Sequence, residues 1–299
     1  MQNLLESMRD RVLKHFAASQ MTTPVPRISV AISRGVGDPE NTMCGPGFCL
    51  VVQGTKQLAI GNQALQQDAG RSFASLVELP ATRCLFETAN REPYVAVGLT
   101  VDPGLLGELL ADLPPLSQRS EPSSFSMADE TPELLQAWNQ HLALLDAPDD
   151  IAALSRPRER ELLYRLLQSG HGGVLRQFVW EEGSLAQIRK AVAWMRGHFD
   201  QSVPIKALAE IAAMSVPSFN RHFKSATATS PLQYQKTLRL QAARELLFKG
   251  NDVTRTAQAV GYDSVSQFSR EYARRFQCSP KQDALAMREE RAGPPVPMI

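Results

Sequence analysis

A chain of 299 residues, 43% hydrophobic and 21% charged, is long enough for two domains with separate cores. Its four cysteines are too few for a disulfide-built scaffold, and no apolar run approaches the roughly 20 residues of a membrane span. The net charge of +1 conceals an asymmetry. Residues 184–299 carry 17 Lys and Arg against 9 Asp and Glu, whereas residues 1–183 carry 15 against 22. A net +8 on one part suits a polyanion, and the net −7 on the other does not. Glu6 and Asp10 interrupt the N-terminus and no long apolar core follows, so no signal peptide is expected. The expected location is cytoplasmic, with reduced thiols.

The chain opens with an amphipathic helix over residues 2–18, striped by Leu4, Leu5, Met8, Val12, Leu13 and Phe16. From Arg27 the period becomes two. Ile28, Val30 and Ile32 alternate with small residues as in a strand, and further strands are expected at Phe48–Gln53, Lys56–Ile60, Ser75–Leu79, Arg83–Glu87 and Tyr94–Val101. Gly54-Thr55 and Gly61-Asn62 mark tight connections. Short strands at this spacing suggest a small barrel or sandwich.

Helices are expected at Pro103–Leu113, Thr131–Leu145 and Arg158–Ser169, with a Pro/Ser-rich loop over Pro114–Ser126. Leu134, Leu135, Trp138, Leu142 and Leu145 stripe the second of these helices. Leu162, Leu163, Leu166 and Leu167 stripe the third. Both stripes suit packing on the barrel or a dimer seam. Gly170-His171-Gly172-Gly173 reads as a flexible break where an interdomain joint begins. Gln187–Phe199 then forms a scaffold helix, with Ile188, Val192, Trp194, Met195 and Phe199 inward.

The basic half contains one device twice. In Ile205–Lys224 a short apolar helix carries Leu208, Ile211 and Ala212 at i, i+3, i+4, then breaks. Ser215 caps a second helix, Pro217 sits in its first turn, and Phe219 and Phe223 turn inward. That leaves Pro217, Ser218, Asn220, Arg221 and Lys224 outside. In Val253–Phe276 Gly261 supplies the turn, Ser264 the cap, and Phe268 and Tyr272 repeat the inward spacing. Val265, Ser266, Ser269, Arg270 and Arg274 face out. Each unit has the sequence form of a helix-turn-helix. Arg pairs with guanine and Asn with adenine in the major groove, while Lys, Arg274 and Arg275 suit phosphate. Pro231–Phe248, between the two, is a Pro-started helix of 18 residues spanning about 27 Å, long enough to hold two reading helices near one DNA turn apart.

Here the chain resembles the AraC/XylS-type transcriptional regulators. The likeness rests on Leu208-Ala209, Phe219 through Lys224, Leu238 through Leu247, Ala257 through Ser264, Phe268 through Tyr272, and Phe276 through Pro280. It covers about residues 183–288 and implies that Ser215–Lys224 and Ser264–Arg274 enter the major groove. That family usually has Gly before the x-Ser-Pro step, where this chain has Ala228 and Gln277. A left-handed non-Gly residue costs about 1 kcal/mol, so a local difference is expected in those turns. Residues 22–170 are similar to the cupin-like jelly-roll N-terminal domain of a subgroup of that family. The residues carrying this are Pro46 through Lys56, Gly61, Val77-Glu78-Leu79-Pro80, Arg91 through Tyr94, and Leu99 through Pro103. Such domains receive a small effector, dimerise, or do both.

The resulting expectation is a multidomain α+β protein. An N-terminal cupin-like β-barrel with flanking helices (1–172) is joined by a linker (173–186) to an all-α domain with two helix-turn-helix motifs (187–290; motifs about 205–225 and 253–276). A disordered tail (291–299) follows. The function expected is a sequence-specific DNA-binding regulator, a small-molecule-responsive activator. Its partners are promoter DNA, an effector, RNA polymerase and a second copy in a homodimer, with no membrane. No catalytic residues, cofactor or metal site are expected, since the five His are scattered and no phosphate loop or catalytic signature is present. Two alternatives remain open for the barrel: a ligand-free dimerisation or partner surface, or a thiol sensor using Cys44, Cys49 or Cys84.

Overall fold

The computed structural model describes residues 1–16, 22–33, 43–44, 46–60, 63–88, 92–113, 124–179 and 184–292. Within it the chain forms two compact units. One comprises Met1–Arg189 with Ser225–Ala228, and the other Lys190–Lys224 with Thr229–Ile299.

The first unit begins with helix α1 (Gln2–His15). Its C-terminal end is tied to Asp146 by Arg11, Lys14 and His15, at 2.7, 2.8 and 2.8 Å. Eight strands follow: β1 (Ile28–Ser33), β2 (Met43–Cys44), β3 (Gly47–Gln53), β4 (Thr55–Ile60), β5 (Gln63–Asp68), β6 (Arg71–Ser75), β7 (Leu79–Glu87) and β8 (Tyr94–Leu99). Helix α2 (Pro103–Ala111) is capped by Asp102 and leads to β9 (Phe125–Asp129). Helix α3 (Pro132–Leu142), α4 (Ile151–Gln168) and α5 (Gly172–Val179) complete the unit.

The strands make two sheets, β1-β8-β3-β6-β9 and β2-β7-β4-β5, rather than one closed ladder among the described residues. The five-stranded sheet is covered on both faces. Ile28, Val30, Ile32, Phe48, Leu50, Val52, Val95, Val97 and Leu99 meet the helices, in one core with Met8, Val12, Leu105, Leu134, Trp138, Leu162 and Leu166. On the opposite face Phe73, Phe125 and Met127 meet Leu58, Ile60, Leu65 and Leu79 of the second sheet. The leucine stripes of α3 and α4 are therefore spent inside the unit, since Leu134, Leu135, Leu142, Leu162, Leu163, Leu166 and Leu167 are all buried.

Several expectations need correction. The expected strand Ser75–Leu79 is not one element: Ser75 ends β6, Leu79 begins β7, and residues 76–78 link them. Strands β5, β6 and β9 replace it as pairing partners, although β5 reads as a polar stretch. Helix α4 starts at Ile151 and runs through Pro157. The prolyl nitrogen gives up one ladder bond, but burial of Leu162, Leu163, Leu166 and Leu167 holds the helix together. The expected break at Gly170–Gly173 is a tight turn followed by a helix. His171 is wholly buried, and Val174 and Leu175 of α5 join the core, so residues 173–179 of the expected linker are helical and packed. Of the other expectations, Gly61-Asn62, Arg91, most of the Pro/Ser-rich loop (114–123) and residues 293–299 lie outside the described residues.

The second unit is helical: α6 (Ser184–Gly197), α7 (Ile205–Ile211), α8 (Val216–Thr227), α9 (Pro231–Phe248), α10 (Val253–Ala259), α11 (Val265–Phe276) and α12 (Pro280–Ala292). In α6, Ile188, Val192 and Met195 are buried as expected, whereas Trp194 and Phe199 are only half-buried, Trp194 stacking on His198 at 4.2 Å. Two motifs repeat with one extra residue in the second turn. Ala213 (φ 49°) answers Gly261 (φ 81°), and Ala228 (φ 58°) answers Gln277 (φ 60°). After each of the latter, Ser230 or Ser279 caps a helix that starts at Pro231 or Pro280, the serine hydroxyl accepting from Gln233 N or Gln282 N at 3.3 Å. The left-handed turn thus persists without glycine, contrary to the expected local difference. At Gly261 no such substitution is open, because a Cβ would lie 1.9 Å from the Asp200 carbonyl oxygen.

Chemical denaturation checks both points. Gln277→Gly is expected to stabilise the second unit by about 1 kcal/mol through relief of the left-handed cost, and Gly261→Ala to destabilise it by at least ~2 kcal/mol. A neutral Gly261→Ala would refute the close approach.

Candidate nucleic-acid interface

Helix α8 has one face inside and one outside for reasons visible in its residues. Phe219 and Phe223, four apart, are fully buried, with ring centroids 5.4 Å apart. Phe223 meets Tyr234 of α9 edge-on at 5.5 Å. Burying each ring contributes about 1.5–3 kcal/mol, which fixes the rotation of the helix about its axis. Ser215 accepts from Ser218 N at 3.4 Å at the N-terminus. With that face committed, Pro217, Asn220, Arg221 and Lys224 are exposed and Ser218 is half-buried. His222 is half-buried beside them. Asn220, Arg221 and Lys224 make no hydrogen bond or ion pair among the described residues, which leaves their donors for a ligand.

Helix α11 is built the same way. Phe268 and Tyr272 are fully buried at 5.5 Å, and Ser264 accepts from Gln267 N at 3.3 Å. Ser266, Arg270 and Arg274 are exposed, and Val265 and Ser269 half-buried. Arg270 donates to its own helix at Ser266 O, 3.3 Å away. Arg275, expected to suit phosphate, is less open than Arg274. It is half-buried, its guanidinium 5.8 Å from the Phe276 ring centroid, and burial pulls its pKa down to about 10.

The device that ties the second motif to the end of α6 was not foreseen from sequence. Helix α9 is buried on several sides, through Tyr234, Gln235, Leu238, Leu240, Ala243 and Leu247. Its polar side chains therefore end on protein atoms. Arg239 Nε donates to Phe199 O at 2.7 Å, Nη1 to Gly261 O at 2.7 Å, and Nη2 to Asp200 O and Gln201 O at 3.3 and 3.1 Å. Gln235 Nε2, one turn earlier, donates to Phe199 O and Gln201 O at 3.1 and 2.6 Å. These donors satisfy carbonyls just past the end of α6 and clamp the turn of the second motif.

Two further ties fix α11. Lys236 Nζ meets Glu271 Oε1 at 2.7 Å, and Tyr262 Oη donates to Glu271 Oε2 at 2.9 Å. Burial raises the Glu271 pKa most, but the donors Lys236, Tyr262 and Gln267 together hold it below its ordinary value. Arg244 forks onto Asp283 at 2.8 and 3.2 Å, and Tyr272 Oη donates to the same carboxylate at 2.7 Å. A sequence signal existed for this: polar residues four apart, Gln235 and Arg239, inside a helix with apolar residues all round.

Of the cysteines, Cys49 is half-buried in β3 and forms no disulfide, while the side chains of Cys44 and Cys84 lie outside the described residues. Among the described residues no group of three or more His, Cys, Asp and Glu could hold a metal, and no helix is long and apolar enough to cross a membrane.

A two-sheet domain in the same chain as a doubled helix-turn-helix unit defines a class of DNA-binding regulators, and comparison with known proteins agrees. Residues 24–174 match the family described as "AraC-type transcriptional regulator N-terminus", and residues 208–284 match a helix-turn-helix domain family. The chain belongs to the AraC-type transcriptional regulators. It is 28% identical over 163 residues to the HTH-type transcriptional activator RhaS of Escherichia fergusonii, covering 54% of this chain and 57% of the relative. To RhaS of Salmonella schwarzengrund it is 30% identical over 152 residues, 50% and 53% of the two chains. The chain thus spans about half the length of the curated relatives it matches. Among solved structures, an apo form of ToxT from Vibrio cholerae has a TM-score of 0.56 at 11% identity, covering 90% of this chain and 99% of that one. Fatty-acid-bound ToxT gives 0.50 at 12% identity, over 86% and 94%. This likeness is one of fold.

Arg239→Ala is expected to cost the second unit about 1.5–3 kcal/mol by removing charge-assisted hydrogen bonds to carbonyls of half-buried and exposed residues. Arg239→Lys should recover little of that, because one ammonium does not span the fork. Denaturant midpoints of the two variants check it; a full recovery by Lys would refute the clamp.

Proposed function

We propose that the chain is a sequence-specific DNA-binding transcription activator in which α8 and α11 enter successive major grooves on one side of the duplex. The observation that carries this reading is the repeated division of each helix. Two buried aromatic rings fix one face, and unpaired or self-bonded cations occupy the other. Arg221 and Arg270 are assigned to base edges, with Asn220, Pro217, Ser218, Val265, Ser266 and Ser269 completing the readout, and Lys224 and Arg274 to phosphates. The basic excess of residues 184–299 supplies the sequence-independent attraction.

In this proposal the two-sheet unit receives a small effector, supported by its family and by the unsaturated-fatty-acid-bound state of ToxT, a protein of the same fold. RNA polymerase is the second macromolecular partner, as the activator role of RhaS suggests, and the working form is a homodimer.

Quantitative binding to DNA from the chain's own promoter region tests the assignment. Arg221→Ala is expected to lose about 1–3 kcal/mol and relax preference at one base position. Lys224→Ala should weaken all sequences about equally and reduce the slope of log K against log salt by about 1. If the two variants behave alike, the division between base and phosphate contacts is wrong. A metabolite that raises the unfolding midpoint of the full chain identifies the effector.

A further inference from the structure

The turn between α4 and α5 carries a buried polar cluster that DNA binding does not use. His171, in the turn, is wholly buried. Its Nδ1 lies 2.7 Å from Ser126 Oγ on β9 and its Nε2 2.5 Å from Ser72 Oγ on β6. Beyond Ser72 stands Glu130, also buried, with Oε1 3.8 Å from His171 Nε2 and neither carboxyl oxygen in a hydrogen bond. The Phe48 ring of β3 closes the site edge-on at 5.2 Å. The turn is seated closely on the sheet, since a Cβ on Gly170 would stand 2.9 Å from that of Ala128.

We infer that Ser126, His171, Ser72 and Glu130 form a proton-compensated latch that fastens the start of α5 to the five-stranded sheet, with the shared proton on the carboxyl and the ring neutral. The geometry argues for the neutral pair. The two groups are too far apart for a direct hydrogen bond, water is excluded, and hydroxyls, which donate or accept, are the ring's partners. The charged groups facing the cluster do not favour ionisation. Asp129 neighbours Glu130 and is paired outward with Arg71 at 2.8 Å, and no other cation of the described residues meets either group. Burial accordingly pushes Glu130 up to about 7, with Asp129 adding, and pulls His171 down to about 4.

The consequence follows from counting protons. In an open or unfolded segment the carboxyl titrates near 4.5 and the imidazole near 6.5. Between those values the open pair holds one proton, on the ring, and the latched pair also holds one, on the carboxyl. Equal counts leave the latch indifferent to pH over that window. Each partner alone is not indifferent. With the acid removed, the depressed His171 destabilises the latch as pH falls from 6.5 towards 4. With the imidazole removed, the raised Glu130 supports the latch below 4.5 and that support is lost as pH rises through 7. The chain continues from α5 to α6, so the device holds one end of that connection steady against pH.

Hydrogen exchange of the α5 segment in the full-length protein, corrected for the intrinsic pH dependence of exchange, reads the latch. Between pH 5 and 7 the wild type is expected to change its opening equilibrium by no more than a few-fold. In Glu130→Gln opening should fall on the order of tenfold or more as pH rises, and in His171→Gln it should rise on the order of tenfold or more. Slopes of the same sign in the two variants, or flat behaviour in both, overturn the inference. If a variant does not fold, NMR of the wild-type His171 ring decides it. A neutral ring at pH 6 supports the latch, and an imidazolium there overturns it.

Discussion

Four hydrogen bonds from one guanidinium brace the DNA-binding unit. Arg239 sits on the helix that separates the two motifs and donates to carbonyls just past the end of α6 and in the turn of the second motif. An ammonium does not reach both, and an apolar residue leaves those carbonyls without partners in a half-dry site. Lys236 ties the same helix to Glu271 of α11, and Arg244 ties it to Asp283 of α12, which also accepts from Tyr272 of α11, so α9 helps to set the position of α11. Helices of 12 residues are marginal alone, and here α11 is held by these ties and α8 by the packing of Phe223 on Tyr234 of α9.

The N-terminal unit obeys a different constraint. Its five-stranded sheet packs against helices on one face and against the second sheet on the other. Polar groups that enter such a sheet need internal partners. Gln67 donates to Cys49 O and Arg71 O, Ser75 to Val77 O, and His171 lies between two serines. The unit's only histidine near the α4–α5 turn is thus part of the fabric of the sheet.

Much of the second unit could be read from residues alone because its signals are local. Capping serines, prolines at helix starts and aromatic pairs four apart each act within one or two turns. The sheets were less legible. Strand β5 reads Gln-Ala-Leu-Gln-Gln-Asp and β6 Arg-Ser-Phe-Ala-Ser, so neither shows apolar alternation; their places follow from pairing with β4, and with β3 and β9. Gly170–Gly173 misled for a related reason. Glycines there give close approach to β9, not freedom, and a single sequence does not distinguish the two. Arg239 was hidden because its partners lie 22 to 40 residues away.

In the proposed complex α9 sets α8 and α11 on one face of the duplex. Hydroxyl-radical footprinting of the full-length protein on its operator addresses this directly. The account predicts two protected patches about one helical turn apart on the same side, one lost with Arg221→Ala and the other with Arg270→Ala. A single patch, or patches on opposite sides, would contradict it.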